Sequence, residues 1–503
     1  MLQSKKQKTV MKFNFLKSIA LLGITGLSVI SCQNDDNNDS DKVNADIDFT
    51  SKSKIPAFVF AQPGFENLQI STLISTTDVL PESPSFIYGA QPDGAGFMKN
   101  ENGDGFVMIT NHEIIQSVSR VYFDKTLKPI KGDYIVDAMG GQTRLCSATL
   151  ATPAIHGFGP IFLTAGESGQ ESMVHGINPF GAANDKNRKD RVLPALGKAS
   201  MENAVPLTKD AYPGKSVIIM GEDQSYEPAH ASAGQVIMYV STVGDLNNGK
   251  LYALKRNDNV QVETTMSVGN SFDVSFVEIP NAKNSTGAEI NTVVNDLKAI
   301  RFSRVEDIDY RKGSASNNRE VYFTATGQSS DKTNPVEGYT MWGRIYKLVL
   351  DAKDPLKGKL ELVVEGDSTP GTGIINPDNL CVTENYVYIQ EDGDSYYPAA
   401  KHDSYIWQYN IASKTNKPWM NMNHKRTDVA WNTLYNTANN NRLGSWEYGA
   451  MEDISDVIGV PNTFILNIHP HTWVNENFKN ADGSGLTSNL EGGQTVIIRN
   501  VQK

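Results

Sequence analysis

The apolar residues of this chain come in short runs rich in Val, Ile, Phe and Tyr. Gly, Asn, Asp and Pro bound them. Gly105-Phe-Val-Met-Ile109, Pro160-Ile-Phe-Leu-Thr164, Ser216-Val-Ile-Ile-Met220 and Gln235-Val-Ile-Met-Tyr-Val240 are examples from the first half. Glu320–Thr324, Arg344–Val349, Tyr386–Ile389, Tyr405–Tyr409, Thr463–Leu466 and Thr495–Ile498 continue the series. Each has strand length and strand composition, with turn signals between. Helical periodicity is sparse, and Val293–Ile300 is one of few candidates. The pattern predicts an all-β chain.

A second regularity sharpens this expectation. Apolar strands run repeatedly into a carboxylate or a histidine. The ends are Asn111-His112-Glu113, Glu167 after Thr164-Ala-Gly, Glu222-Asp223 after Met220-Gly, Arg304-Val-Glu306-Asp307, Gln390-Glu391-Asp392 and His469-Pro-His471. No low-complexity linker divides the body, and a sandwich does not easily absorb so long a stretch. A β-propeller does. Six beats predict six blades, each presenting a polar strand end at one mouth of a central channel. The intervals exceed the ~40–45 residues of a compact blade, so long loop insertions are expected.

Six acidic or histidine strand ends on one axis cannot all stay ionised without counter-charge. The expectation is therefore a metal cluster at that mouth. Oxygen-rich sites suit calcium, and carboxylates with mixed ligands suit iron or manganese. Composition bounds the alternatives. The chain has 503 residues, 39% hydrophobic, with a net charge of −11. That supports a real core and argues against nucleic acid or anionic lipid as the main partner.

The N-terminus reads as an address. Met11-Lys-Phe-Asn-Phe-Leu-Lys17 is basic, and the apolar run from Ser18 to Ile30 is too short to span a membrane, which takes about 20 residues. It ends in Val29-Ile30-Ser31-Cys32, which resembles a bacterial lipobox. The expected organisation is a lipoprotein signal peptide over 1–31, a tether with lipidated Cys32 and an acidic start over 32–54, and a propeller domain over 55–503. The protein is expected to be a secreted lipoprotein of the outer membrane or cell surface, touching membrane only through its anchor.

Only Cys146 and Cys381 remain after Cys32. They form a disulfide, serve as ligand, or sit as inert small hydrophobes. Polar neighbours keep a reactive or ligating thiolate open at Cys146, and Cys381 looks like a buried strand residue. Several other signals fail. Gly166-Glu-Ser-Gly-Gln170 is no nucleophile elbow. Asn100–Gly105 has Asn111 where a calcium loop needs its bidentate acid, so it reads as a hairpin turn.

At these strand ends the sequence resembles the PhoX family of secreted bacterial alkaline phosphatases. Val107–Glu113 is similar to the family's early Asn-His-Glu strand end. Leu145-Cys146 with Leu163–Glu167 is similar to its iron-binding Cys and downstream Cys-Glu-Glu, with Ala165-Gly166 replacing Cys-Glu. Met220–Asp223, Arg304–Asp307, Pro377-Asp-Asn379 and Phe464–Pro470 match further positions. The family's Thr-Pro-Trp-Gly-Thr run is absent, and a lipobox stands where many members carry a twin-arginine signal.

The resemblance implies a six-bladed propeller with iron and calcium. It implies Cys146, Glu167 and Glu222 as iron ligands, and Glu113, Glu306, Asp307 and Glu391 as calcium-side ligands. Arg304 would hold a phosphate oxygen, beside Glu306 in the catalytic pair, and His469 would help bind substrate. The expected function is a metal-dependent phosphatase releasing phosphate from small organic phosphoesters in the cell envelope or at the cell surface. The competing readings are a calcium-only propeller hydrolase, phytase-like or lactonase-like, and a non-catalytic surface-binding propeller.

Overall fold

A computed structural model describes residues 46–227, 233–393, 397–438 and 442–503. The expected signal peptide, Cys32 and the tether up to residue 45 lie outside the described residues. Lys52 already docks on the body, its N–H donating to Thr72 O at 2.8 Å.

Strand is the main regular structure among the described residues, in consecutive antiparallel meanders over 92–136, 145–177, 205–279, 308–365, 377–422 and 447–499. They form five hydrogen-bonded sheets in a propeller-like arrangement. The third and fourth meanders share one nine-stranded sheet, because their outer strands Ser271–Ile279 and Lys357–Glu365 pair antiparallel. The two ends of the chain close the ring. Gln69–Ser75 pairs with Gln494–Arg499 on the outer edge of the last meander, and Val59–Ala61 pairs with Thr415–Met422 of the one before.

The apolar runs are continuous because each meander is buried on both faces. In Phe106–His112, Phe106 and Met108 pack toward the last meander, while Val107 and Ile109 pack toward the second. In Lys215–Gly221, Ile218 and Met220 face the second meander, and Val217 and Ile219 face the fourth. Side chains alternate along a strand, so a strand between two apolar layers has no polar phase. Further layers lie between the fourth and fifth meanders, around Tyr322 and Ile389, and between the fifth and last, around Trp419 and Trp446.

The expected helix is shifted. It spans Gly287–Asp296 and not 293–300, because Thr286 caps the Glu289 N–H while Glu289 reaches back to the Thr286 N–H. That reciprocal cap sets the start, and the chain leaves the helix after Asp296. Asn100–Gly105 closes the hairpin between Pro92–Lys99 and Phe106–His112, as its composition predicts, with Gly105 at φ +83°.

Candidate active site

In an antiparallel hairpin the start of one strand lies beside the end of the next. The meanders therefore bring two positions each to the same mouth, except the fourth, which contributes one. Asp93, Cys146, Asp378 and Glu447 stand at the starts of innermost strands, with Glu202 and Glu306 just ahead of theirs. Glu113, Glu167, Asp223, Asp392 and His471 follow the ends of later strands. All of them line one cavity of about 180 Å³, together with Arg144 and Arg304.

Local backbone irregularity aims these side chains. The strand register slips between Pro92 and Ala95, Leu145 and Ala148, Pro377 and Leu380, and Tyr448 and Met451. Such bulges re-aim a side chain at the end of a sheet. Gln91, Arg304 and Asn376, each two positions before a cavity acid, adopt φ of +43°, +64° and +45°. Left-handed non-glycine residues cost free energy and cluster at functional sites.

The cavity holds nine carboxylates against two guanidiniums. Arg144 Nη1 donates to Glu113 Oε1 at 2.7 Å, and a Glu167 oxygen lies 4.0 Å away. Arg304 Nε donates to Asp223 Oδ1 at 2.9 Å, and its Nη2 pairs with Glu306. The Cys146 thiol lies 3.2 Å from Glu167 Oε2. Ser147 N–H donates to Glu202 Oε1 at 3.1 Å. His471 bridges Glu447 Oε2 at 3.1 Å and Glu491 Oε2 at 2.9 Å, and His469 Nδ1 lies 3.4 Å from Glu447 Oε1.

The crowd is electrostatically frustrated without cations. Burial first, and then neighbouring carboxylates, push Glu167, Glu202 and Asp378 well above the usual carboxylate range. Burial raises Asp93 as well, although His469 opposes it. Burial followed by Glu202, Glu113 and Glu167 pushes the Cys146 thiol up. Against burial, which favours its neutral form, hydrogen bonds to Glu447 and Glu491 hold His471 above its ordinary value. A multivalent ion reverses the carboxylate and thiol shifts by favouring the ionised ligand.

The donor set fits such ions. The ligating atoms of Asp93, Glu113 and Cys146 all lie within 4.8 Å of one another, and so do those of Cys146, Glu167 and Glu202. The two trios share the thiol. Glu447, His469 and His471 make a third group of the same span.

Among the residues singled out from sequence, Glu113, Cys146, Glu167, Arg304 and Glu306 meet in the cavity. Glu222, Asp307, Glu391 and His469 do not line it. Strand alternation is the reason: within each acidic pair one side chain faces the cavity and its neighbour faces the protein. Asp223 takes the place expected for Glu222, and Asp392 the place expected for Glu391. Asp307 is an anchor between meanders. It accepts from Ile308 N at 2.8 Å, from Leu380 N at 2.7 Å and from Asn203. Glu391 accepts from Ile375 N at 2.8 Å, Tyr405 N at 2.7 Å and Trp407 Nε1 at 2.7 Å. Glu222 is buried, and burial followed by Asp223 raises it to about 8. His469 is fully buried behind Glu447, with Nε2 2.9 Å from Pro92 O.

Cys146 and Cys381 are not bonded to each other. Cys381 sits in the apolar layer with Tyr388 and Trp419. The residues missed in the sequence are Asp93, Glu202 and Glu447 at the inner strand starts, and Arg144. A signal exists for the first two: an acid followed by a small or amide residue, Asp93-Gly94 and Glu202-Asn203, one hairpin before each strand-end acid. Asp378-Asn379 repeats it.

A family model described as alkaline phosphatase PhoX matches residues 170–439. The fold is similar to that of Pseudomonas fluorescens PhoX, solved in complex with vanadate, a transition state analogue. The TM-score is 0.55 at 16% identity, covering 90% of this chain and 98% of that one. A PQQ-bound aldose sugar dehydrogenase from Streptomyces coelicolor aligns at a TM-score of 0.33 and 10% identity, over 86% of this chain and 98% of that one. No curated protein sequence matches.

Proposed function

This chain belongs to the PhoX alkaline phosphatase family, and from that premise we propose which of its residues carry the metal-dependent hydrolysis of phosphate monoesters and where it occurs. The observation that carries the reading is the convergence of a buried thiol, nine carboxylates and Arg304 on one cavity.

Asp93, Glu113, Cys146, Glu167 and Glu202 would hold cations through the two trios that share the thiol. Thiolate softness favours iron at Cys146, and all-carboxylate positions around Glu306 and Asp378 favour calcium. Bound there, such ions would supply Lewis acidity for the phosphoryl charge and for water activation.

The chain's own residues do the rest. Arg304, oriented by Asp223 and Glu306, offers a permanently charged fork to a phosphoryl oxygen. Arg144 stands at the lip of the same cavity with its side chain 44% exposed, placed to meet the dianion as it enters. His471, whose two ring nitrogens face Glu447 and Glu491, stands in the same wall. Such placed charges act on the developing transition state and not on bulk water.

The expected compartment is the cell envelope or surface. The basic start, the apolar run and Ser31-Cys32 support secretion and lipidation. Elemental analysis and an aryl-phosphate assay on the same purified protein test the reading. Iron and calcium in active protein, with turnover lost on chelation, are the expected result. Full activity in protein stripped of both metals is the opposite one.

A further inference from the structure

Beside the acid-lined cavity lies a second one, of about 390 Å³. Ile114, the residue after Glu113, lines both. Gln116, Ala138, Leu486 and Thr487 are among its other walls, and none of its lining residues carries a charge. The contrast with its neighbour is abrupt: nine carboxylates on one side of Ile114, and only aliphatic, amide and hydroxyl groups on the other.

The walls are built in place. Asp482 Oδ2 accepts from Ser117 Oγ at 2.7 Å and from Ala138 N at 2.8 Å, tying the loop that carries Leu486 to the floor. At the other end of that loop, Glu491 accepts from Gln91 Nε2 at 2.9 Å and from His471. One loop therefore forms a side of the neutral cavity and braces a side chain of the acid-lined one. Leu486 is 64% exposed, an aliphatic side chain held at the cavity edge without being packed into the core.

We propose that the neutral cavity is the leaving-group subsite. It takes the uncharged organic part of a phosphate monoester whose phosphoryl group sits among the groups around Arg304. The inference rests on the phosphatase reading above. Three points carry it. The two cavities meet at one residue, so a single molecule can occupy both. The volume falls within the ~300–1,000 Å³ of small-molecule sites. The walls offer apolar surface and neutral hydrogen-bonding groups but no cation to neutralise a second phosphate. The subsite therefore selects alkyl, aryl and polyol monoesters over substrates with an anionic leaving group.

The test compares kcat/KM of the metal-loaded full chain on p-nitrophenyl phosphate, methyl phosphate and pyrophosphate. The wild-type protein should favour the aryl ester over the other two. Leu486→Ser removes aliphatic wall, and Thr487→Trp fills the cavity. Each should lower the aryl-to-methyl ratio of kcat/KM roughly five- to tenfold, chiefly through KM for the aryl ester. A ratio unchanged in both variants, or pyrophosphate cleaved as well as the aryl ester, overturns the subsite and leaves the phosphatase reading intact. Hydrolysis of none of the three by loaded wild-type protein overturns both.

Discussion

Cys146 Sγ and Glu167 Oε2 lie 3.2 Å apart, although 21 positions separate them in the chain. The hairpin register pairs Leu145 with Gly166, so the start of one strand meets the end of the next. Around this contact the two candidate metal trios share their thiol. A buried thiol beside four carboxylates is stable as a ligand and unfavourable as a bare thiolate, which ties the cluster's integrity to this one sulfur.

Cys146→Ser should therefore lose metal and turnover together. Disturbing groups that merely orient ligands costs about 10–100-fold in metal affinity or activity, so loss of a shared ligand is expected to cost at least ~100-fold in kcat. Elemental analysis and phosphatase assay on the same variant check it. Full metal content with wild-type kcat would remove Cys146 from the cluster. Cys381→Ser, in the apolar layer, should change neither.

Arg304 predicts a different signature. Its fork is fixed at Asp223 and Glu306, and its backbone sits at φ +64°. Arg304→Lys keeps the charge but loses the fork and both fixed partners. A fall in kcat/KM of roughly 10²–10³ is expected, in line with removal of a single transition-state donor, with metal content retained. A variant within twofold of wild type would show that the guanidinium does not touch the phosphoryl group.

Within the acidic pair at 391 and 392, the two side chains should separate cleanly. Glu391→Ala leaves three buried N–H groups without their acceptor. Each unsatisfied donor costs about 1–3 kcal/mol, so a marked drop in Tm is expected, with metal content per folded molecule unchanged. Asp392→Asn faces the cavity and should act on metal content or KM with little change in Tm. Thermal melts and elemental analysis distinguish them, and the reverse pattern would return Glu391 to the cation site.

That pair also shows what a sequence can reveal here. The all-β class and the recurrence of acids at strand ends follow from local signals, since burial on both faces leaves continuous Val/Ile runs and turns leave Gly, Asn and Asp. Which member of Glu222-Asp223, Glu306-Asp307 or Glu391-Asp392 faces the cavity depends on pleat phase at a strand end, and a one-residue change inverts it. Glu447 was hidden for another reason. It opens its strand, and its orientation depends on a bulge that leaves no residue signature in a single chain. Arg144 escaped because its role is defined by Glu113, one meander away.

Glu263 lies outside the cavity yet bears on it. Its Oε1 accepts from Ser303 N at 3.1 Å, next to Arg304, and from Thr340 N at 3.0 Å, while Tyr346 donates to Oε2 at 3.2 Å. Burial is the largest influence on this group, and against the opposing Thr340, Arg344 and Tyr346 contacts it raises the carboxyl to about 7. Below about pH 4.5 folded and unfolded chains both hold this proton. Between that value and about 7 the unfolded chain releases it while the folded chain keeps it, so stability falls as pH rises. Above about 7 the loss is complete, on the order of 3 kcal/mol. Glu263→Gln keeps an acceptor for both N–H groups and lets the Tyr346 hydroxyl turn to accept. Denaturant melts from pH 4 to 8 should therefore show wild type losing stability relative to this variant across that window. Parallel curves would mean that Glu263 is ionised in the folded protein throughout, and that its hydrogen bonds outweigh its burial.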